Sequence, residues 1–305
     1  MTRHGDAVAV SIALKMKRIL QIIGAVVFMH GAAYGRQPAP EKKLTEQEVH
    51  SLQLIEPLIL YHPRAYASNV VQAFTTNGGK RIDFQTSQGR QSAWVIAPTN
   101  RAEKLWVICG GNATLALELE SLCRAFPFPR DAYLLVDYPG YGECAGMPSP
   151  ASIRENLKTS ILSAAEKLKL GTNDLPGKVC VFGHSLGCAV ALLAAEEFHL
   201  RSAVLCAPFT STFEMARLRF DIPTDFPLKH QFDNRVTLAA LRAIHGHAWI
   251  FHGDTDDVIP VEMSKKLAGE FAETVKLEVL PETRHNNVMR RAGNKLVEAM
   301  REAEK

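Results

Sequence analysis

The stretch "VCVFGHSLGCAVALLAAEEF", residues 179–198, decides the fold. Four apolar residues run into a tight turn that contains Gly183, Ser185 and Gly187, and a long segment with helical apolar spacing follows at once. A short apolar run bounded by glycine is typical of a buried strand, and the periodicity behind it is typical of a helix. The stretch therefore predicts a strand, a sharp turn centred on Ser185 and a helix.

Apolar runs followed by helical patterns recur along the chain. The runs "LWVICGG" and "AYLLVDYPG" precede helical patterns near 113–125 and 151–169, and the series continues with "SAVLCAP", "AWIFHGD" and "VKLEVLP". This alternation predicts the α/β class, with a largely parallel sheet covered by helices on both faces. Ligand sites in such sheets lie at the carboxyl ends of the strands, so chemistry is expected in the turns that follow them.

Two segments nearer the N-terminus have a different pattern. The stretches "NVVQAFTT" (69–76) and "RQSAWVIAP" (90–98) combine β-branched and aromatic residues with partial alternation, and Asn-Gly-Gly and proline bound them. These features predict two antiparallel strands.

Composition excludes several classes of protein. With 305 residues, 47% hydrophobic and 22% charged, the chain can bury a full core and resembles a soluble globular protein. The net charge is only +3 and the basic residues are scattered, so nucleic acid is not expected as a partner. The six cysteines could pair in a secreted chain, but three lie in apolar runs, so mostly free, buried thiols are expected. The cysteine spacings contain no close C-x-x-C pair, so a zinc site is not expected.

The N-terminal residues have the layout of a targeting segment. Basic residues precede an apolar run at 19–29, and small residues follow at 31–35. The run is shorter than the roughly 20 residues that span a bilayer, so residues 1–35 are predicted to be a cleaved secretory signal, with export to the periplasm or the medium. A membrane anchor through residues 19–35 and a cytosolic amphipathic start are the alternatives. The polar residues that follow, within 36–54, are expected to form a linker.

Ser185 raises the question of its partners. A serine hydroxyl is a poor nucleophile, so it needs a nearby base, and the base needs a carboxylate to orient it. Both are expected in later turns after strands, in the order serine, acid, histidine. The turn after "AWIFHG" offers Asp254, Asp256 and Asp257, and the turn after "KLEVLP" offers His285. The residues alone leave the choice among the three aspartates open.

Five segments together resemble the α/β-hydrolase superfamily, in its small-lid serine hydrolase branch of esterases, depalmitoylating thioesterases and serine aminopeptidase-like enzymes. The resemblance covers residues 55–305 as one catalytic domain and implies a mostly parallel eight-stranded sheet with a small lid. It also implies Asp256 as the acid of an H-G-x-x-D pattern, and no metal or organic cofactor. The segments are "CGGNAT" (109–114), "DYPGYGECAGMPS" (137–149), "GHSLG" (183–187), "APFTS" (207–211), and "HGDTDDVIP" (252–260) with "RHNN" (284–287).

The oxyanion hole needs two backbone N–H donors. One comes from the residue after the nucleophile, Leu186, and by resemblance the other comes from Asn112. The family usually shows H-G-N where this chain has Gly110-Gly111-Asn112, which raises the question of what makes this turn rigid. Pro139 likewise stands where the family has arginine.

The expected activity is hydrolysis of a carboxylic ester or thioester through an acyl-enzyme on Ser185, with His285 as base and Asp256 as the orienting acid. A peptidase or amidase, or an acyltransferase, could use the same triad, and a non-catalytic binding protein on the same fold is a more distant alternative. The expected substrate is a small molecule or an acyl-protein. His184 and His252 are interpreted as packing residues beside the site.

Overall fold

Eight strands form one sheet in the computed structural model, which describes residues 44–220 and 222–305. The strands are β1 Lys80–Thr86, β2 Gly89–Ile96, β3 Leu105–Cys109, β4 Ala132–Val136, β5 Val179–His184, β6 Ser202–Cys206, β7 His247–Gly253 and β8 Val275–Leu280. Their order across the sheet is β1-β2-β4-β3-β5-β6-β7-β8. β2 is antiparallel to β1 and β4, and every other pair is parallel. The predicted mostly parallel eight-stranded sheet is confirmed.

Helices connect the strands. The α-helices are α1 Glu46–Leu60, α2 Val70–Thr76, α3 Glu120–Ala125, α4 Pro150–Leu168, α5 Leu175–Lys178, α6 Leu186–Phe198, α7 Thr212–Phe220, α8 Asn234–Ala243, α9 Val261–Glu270 and α10 Val288–Ala303. Short 3₁₀ turns occupy Ala116–Leu119, Thr172–Asp174 and His285–Asn287. The predicted helices near 151–169 and 186–198 are confirmed by α4 and α6.

Two apolar cores lie on the two faces of the sheet. Successive strand residues point to opposite faces, so Trp106 and Val107 of β3 belong to different cores. The core that contains Val107 also contains Leu157 of α4 and Leu192 of α6. The core that contains Trp106 also contains Leu296 of α10. Because both faces are covered, β3, β4 and β5 are buried along their whole length.

The carboxyl ends of the central strands meet at one edge of the sheet. Cys109 at the end of β3 pairs with Gly183 of β5, and His184 pairs with Cys206 at the end of β6. Cys206 in turn pairs with Phe251 of β7. The turns after these strands therefore lie side by side, and the residues that the sequence singled out follow the ends of β3, β5, β7 and β8.

The prediction of a strand over residues 69–76 is wrong, whereas the strand over 90–98 is confirmed by β2. The first segment forms α2, which buries Phe74 completely. The ring of Phe74 meets the ring of Trp94 edge-on, with centroids 5.8 Å apart. Val70 and Phe74 lie four residues apart on one helix face, so the same apolar residues fit a helix as well as a strand.

Helix α1 begins inside the stretch that the sequence assigned to a linker, so residues 46–54 of that stretch are helical. The amide of Thr45 donates to the Glu48 carboxylate at 2.9 Å, and the amide of Glu48 donates to the Thr45 hydroxyl at 3.2 Å. This reciprocal pair is a capping box, which satisfies two amides at the start of a helix. The proposed signal or anchor in residues 1–35 lies outside the described residues. Within the described part, no helix has the length and apolar character needed to cross a membrane.

The described residues divide into two compact units. The larger contains His50–Met215 and Leu228–Lys305 and includes the whole sheet. The smaller contains residues 44–49 and the described part of Ala216–Pro227, in which the amide of Phe226 donates to the carbonyl of Pro223 at 3.1 Å. The connection from β6 to β7 contains α7, which confirms the helical signal near 212–219, and α8, which the sequence analysis did not identify.

All six cysteines are free and buried, as expected. Burial raises the pKa of each thiol, because a thiolate loses its hydration there. The Cys188 thiol, one turn after Ser185, donates to the carbonyls of Gly183 and Cys206 at 3.3 Å and 3.2 Å. These cysteines therefore act as small core residues.

Candidate active site

Ser185 occupies a strained turn between β5 and α6. Its backbone has φ +56° and ψ −122°, a combination that non-glycine residues rarely adopt. Two hydrogen bonds hold it there: the Ser185 amide donates to the Cys206 carbonyl at 2.9 Å, and the Cys188 amide donates to the Ser185 carbonyl at 2.9 Å. Backbone strain of this kind is found at the nucleophile turn of hydrolases, where it exposes the serine oxygen at the end of the sheet.

The two glycines of the G-x-S-x-G pattern are required by close backbone contacts. A Cβ on Gly187 would lie 2.1 Å from the carbonyl oxygen of Cys109, at the end of β3. A Cβ on Gly183 would lie 2.4 Å from the carbonyl oxygen of Gly187. Only glycine allows α6 to start this close to the ends of β3 and β5.

Asp256 is the most strongly held carboxylate at this edge. Its Oδ1 accepts the amides of Val258 and Ile259, each at 2.8 Å. Its Oδ2 lies 2.8 Å from His285 Nδ1 and 3.2 Å from His252 Nε2. Burial raises the pKa of Asp256, but the hydrogen bonds from His252 and His285 outweigh it and hold the pKa well below its usual value. Asp256 is therefore a carboxylate that stays ionised.

The other two aspartates of this turn bind residues that precede His285. Asp254 Oδ1 accepts the amide of Thr283 at 3.3 Å, and Asp257 Oδ2 pairs with the Arg284 guanidinium at 2.6 Å. Asp256 alone among the three is bonded to the imidazole of His285. The other two instead tie the turn after β7 to the turn after β8.

His285 lies beside the turn that contains Ser185. Its side chain is only 6% exposed, and its carbonyl oxygen lies 3.2 Å from Nε2 of His184, the residue before Ser185. The rings of His184 and His285 have centroids 4.9 Å apart. Burial, together with the nearby His285, lowers the pKa of His184 to about 4, so His184 is neutral and donates through Nε2–H. His184 thus links the serine turn to the histidine turn, a contact beyond the packing role that its sequence position suggested.

His252 also has a role that the sequence analysis missed. Its ring is completely buried, with Nε2 2.9 Å from the Ile259 carbonyl and Nδ1 2.6 Å from the Ser264 hydroxyl. Because Nε2 faces both a carbonyl and the Asp256 carboxylate, it carries the proton. The only available signal was its place at the end of β7, four residues before Asp256.

Two backbone amides at this edge are free to bind a ligand. Among the described residues, neither the N–H of Asn112 nor that of Leu186 donates a hydrogen bond to a backbone carbonyl. Leu186 follows Ser185 directly, and the Cβ position of Gly111 lies 3.4 Å from the Ser185 Cβ, so both donors flank the serine. Unpaired amides beside a nucleophile can stabilise a developing negative charge. In the part of the chain that the structure describes, no group of three or more His, Cys, Asp or Glu side chains could hold a metal ion.

A comparison with protein families identifies the class of protein to which this fold belongs. Residues 106–268, more than half of the chain, match the model of the α/β hydrolase family. The chain belongs to the α/β hydrolase family.

Particular relatives extend the match beyond that segment. An uncharacterized protein of Mycobacterium tuberculosis is 28% identical over 251 residues, which are 80% of this chain and 85% of that protein. Protein ABHD12B of Homo sapiens is 28% identical over 236 residues, 67% of this chain and 62% of that protein. A solved esterase of Pyrococcus furiosus superposes with a TM-score of 0.60 at 15% identity, over 80% of this chain and 96% of its own. The esterase domain of a Rhodothermus marinus protein superposes with a TM-score of 0.52 at 17% identity, over 74% of this chain and 98% of that domain. At these identities the two solved structures show a shared fold.

Proposed function

We propose that the chain is a serine hydrolase that cleaves carboxylic esters or thioesters through a covalent acyl-enzyme. Ser185 is the nucleophile, His285 is the general base, and Asp256 orients the imidazole. The backbone amides of Asn112 and Leu186 stabilise the oxyanion.

The observation that carries this proposal is the 2.8 Å hydrogen bond between Asp256 Oδ2 and His285 Nδ1. An ionised carboxylate that accepts the Nδ1 proton leaves the lone pair on Nε2, where it can accept the proton of a serine hydroxyl. The contact of His285 with His184, the neighbour of Ser185, supports this assignment. The strained backbone of Ser185 supports it independently.

The reaction takes place in two halves. Ser185 Oγ bonds to the carbonyl carbon while its proton passes to His285 Nε2, and the carbonyl oxygen becomes an oxyanion between the two amides. Collapse of this intermediate breaks the bond to the alcohol or thiol, which leaves with the proton from His285. Water then attacks the acyl-enzyme with His285 again as base, and the carboxylic acid departs as Ser185 regains its proton.

Two features support an ester or thioester as the substrate class. The connection between β6 and β7, residues 207–246, is too short for a large lid domain, which favours an accessible site for small-molecule or acyl-protein substrates. Two structural neighbours are described as esterases.

The test uses the full chain, Ser185→Ala and a matched control, Ser202→Ala. Ser202 is the first residue of β6, at the opposite end of that strand from the site. Each protein is exposed to a fluorophosphonate probe and to p-nitrophenyl esters from acetate to palmitate, an acyl-coenzyme A thioester and a peptide p-nitroanilide. Wild type and the control are expected to label and turn over esters, and Ser185→Ala is expected to lose turnover by up to about a million-fold.

Four other results would contradict the proposed ester or thioester hydrolase. Faster cleavage of the anilide than of any ester would indicate a peptidase, and faster acyl release with added alcohols or amines would indicate an acyltransferase. Turnover that survives in Ser185→Ala would require another nucleophile. If wild type neither labels nor turns over any substrate, a binding protein on a hydrolase fold becomes the better interpretation.

A further inference from the structure

Two tyrosine hydroxyls form hydrogen bonds with the backbone on either side of the Asn112 amide, which is assigned to the oxyanion hole. Tyr138 donates to the carbonyl of Gly110 at 2.6 Å, and Tyr141 donates to the carbonyl of Asn112 at 2.5 Å. Both tyrosines come from the turn after β4, and both are almost completely buried. Neither hydroxyl is used by the reaction as derived above.

The covalent structure of the chain makes these two contacts specific. The N–H of Asn112 belongs to the peptide group that it shares with Gly111. The Gly110 carbonyl belongs to the preceding peptide group, and the Asn112 carbonyl belongs to the following one. Because each peptide group is planar, a bond to its oxygen also fixes the direction of its N–H. The two hydroxyls therefore hold the peptide groups on both sides of the Asn112 amide.

The middle peptide group is held as well. The carbonyl of Gly111 accepts the amide of Thr114 at 3.1 Å, and the Asn112 carbonyl also accepts the amide of His62 at 3.1 Å. All three consecutive carbonyls are thus engaged, while the Asn112 N–H has no acceptor among the described residues. Gly110 and Gly111 have no side chains that could fix this turn from within.

The tyrosines themselves are rigidly placed. Their rings meet edge-on with centroids 5.5 Å apart, and the Tyr141 amide donates to the Tyr138 carbonyl at 2.8 Å. The Tyr141 hydroxyl also accepts the His62 amide at 2.9 Å. Burial raises the pKa of Tyr138 and raises that of Tyr141 to about 12, so both remain protonated donors at neutral pH.

We propose that Tyr138 and Tyr141 are positioning residues that aim the Asn112 amide at the oxyanion. This inference rests on the proposed function. The two contacts explain what makes the turn Gly110-Gly111-Asn112 rigid although its first two residues are glycines. The hydroxyls that hold it come from the turn after the neighbouring strand β4. Preorganised donors stabilise the transition state without having to reorganise during the reaction, so a loosened amide should slow the chemical step more than it weakens substrate binding.

The test compares Tyr138→Phe, Tyr141→Phe and the double variant with wild type. Tyr133→Phe is the matched control, because Tyr133 is also a buried tyrosine but its hydroxyl has no hydrogen-bond partner among the described residues. With p-nitrophenyl butyrate, each single variant is expected to lose about tenfold in kcat with KM within about twofold, and the double variant more. The inhibition constant of an alkyl trifluoromethyl ketone, which forms a tetrahedral adduct, should rise by the same factor. Active sites are counted with the fluorophosphonate probe, so misfolded protein does not enter the kcat.

A second measurement does not depend on activity. Deuterium uptake by peptides that cover residues 109–117 is expected to be faster in Tyr138→Phe and Tyr141→Phe than in wild type, and unchanged in Tyr133→Phe. Equal kcat and equal uptake in all variants would overturn the proposal, as would a loss of kcat that Tyr133→Phe shares. If wild type has no turnover, the proposed function fails and the catalytic role of the tyrosines fails with it. Deuterium uptake then still decides whether the two hydroxyls hold the turn at residues 110–112.

Discussion

His252 Nε2 lies 3.2 Å from Asp256 Oδ2, and both side chains are completely inaccessible to solvent. The same carboxylate oxygen accepts Nδ1–H of His285 at 2.8 Å, so Asp256 is shared between two imidazoles. The His252 ring is fixed in turn by the Ser264 hydroxyl of α9. The orientation of the Asp256 carboxylate therefore depends on His252 as well as on His285.

Replacement of His252 should separate this positioning effect from packing. His252→Leu removes the donor and should lower kcat by about tenfold, because a hydrogen bond to a buried carboxylate contributes about 1.5–3 kcal/mol. His252→Gln can place an amide donor near the position of Nε2 and should recover much of the loss. The two variants are compared by kcat, KM and thermal melting. Equal kcat in His252→Leu and wild type would exclude the positioning role.

The three aspartates of the turn after β7 should differ sharply in their effect on activity. Asp256→Asn is expected to lower kcat by about 10⁴, because an amide cannot hold the required tautomer of His285. Asp254→Asn and Asp257→Asn remove contacts to Thr283 and Arg284 instead, and are expected to retain most of the activity. Steady-state kinetics of the three variants checks this order. A larger loss in either of the outer two would transfer the role of the acid to that residue.

The strain at Ser185 predicts that glycine at this position abolishes activity but relieves a cost in stability. Its φ of +56° with ψ of −122° costs a serine or an alanine about 1–3 kcal/mol, but glycine adopts it freely. Ser185→Gly should therefore be inactive and more stable to urea than Ser185→Ala by about 1 kcal/mol, after the larger chain entropy of glycine is deducted. Urea unfolding of the two variants, which both lack the hydroxyl, provides the comparison. Equal midpoints would show that the turn is relaxed.

Gly187 lies so close to the end of β3 that adding a single methyl group there should greatly lower the stability of the fold. A new Cβ would lie 2.1 Å from the Cys109 oxygen and 2.5 Å from the Gly110 oxygen, so the start of α6 and the backbone at the end of β3 would have to move apart. Gly187→Ala should lose at least about 3 kcal/mol of unfolding free energy. Gly269→Ala is the control, because nothing lies within 4 Å of its Cβ position in α9. It should be neutral or slightly stabilising.

The strands and helices with strong local patterns could be predicted from the sequence. Five continuous apolar runs became the strands β3 to β7, because a buried parallel strand needs apolar residues on both faces. The segment 69–76 was misassigned because its few apolar residues fit either period. As a helix it packs Phe74 against Trp94, a contact between two elements that the local pattern of residues 69–76 does not show.

The candidate site residues could be expected at one edge of the sheet from their order in the sequence, but their contacts could not be predicted. Ser185 and His285 follow separate strands, and strand order alone brings them to one edge of the sheet. The choice of Asp256 over its neighbours depends on the direction of side chains in a tight turn. His252 looked like a packing residue and Tyr138 was not singled out, because their polar partners, a carboxylate and a backbone carbonyl, become visible only in the folded chain.

The buried imidazole of His184 predicts a specific dependence of stability on pH. Its pKa is lowered from 6.5 to about 4, first by burial and then by the neighbouring His285. Below pH 6.5 the unfolded chain therefore takes up a proton that the folded chain does not take up until about pH 4. The contribution of His184 to stability is complete above pH 6.5 and decreases as the pH falls through this window, by up to about 1.4 kcal/mol per unit.

His184→Gln removes this titration while retaining a donor for the His285 carbonyl. The difference in unfolding free energy between wild type and the variant should shift against wild type by about 2–3 kcal/mol between pH 7 and pH 4. Carboxyl groups that titrate in the same range are present in both proteins, so the difference isolates the imidazole. Urea unfolding at pH 7, 5.5 and 4.5 measures it. Parallel curves would mean that His184 is protonated as readily in the folded chain as in the unfolded one, and would contradict the lowered pKa of the buried imidazole.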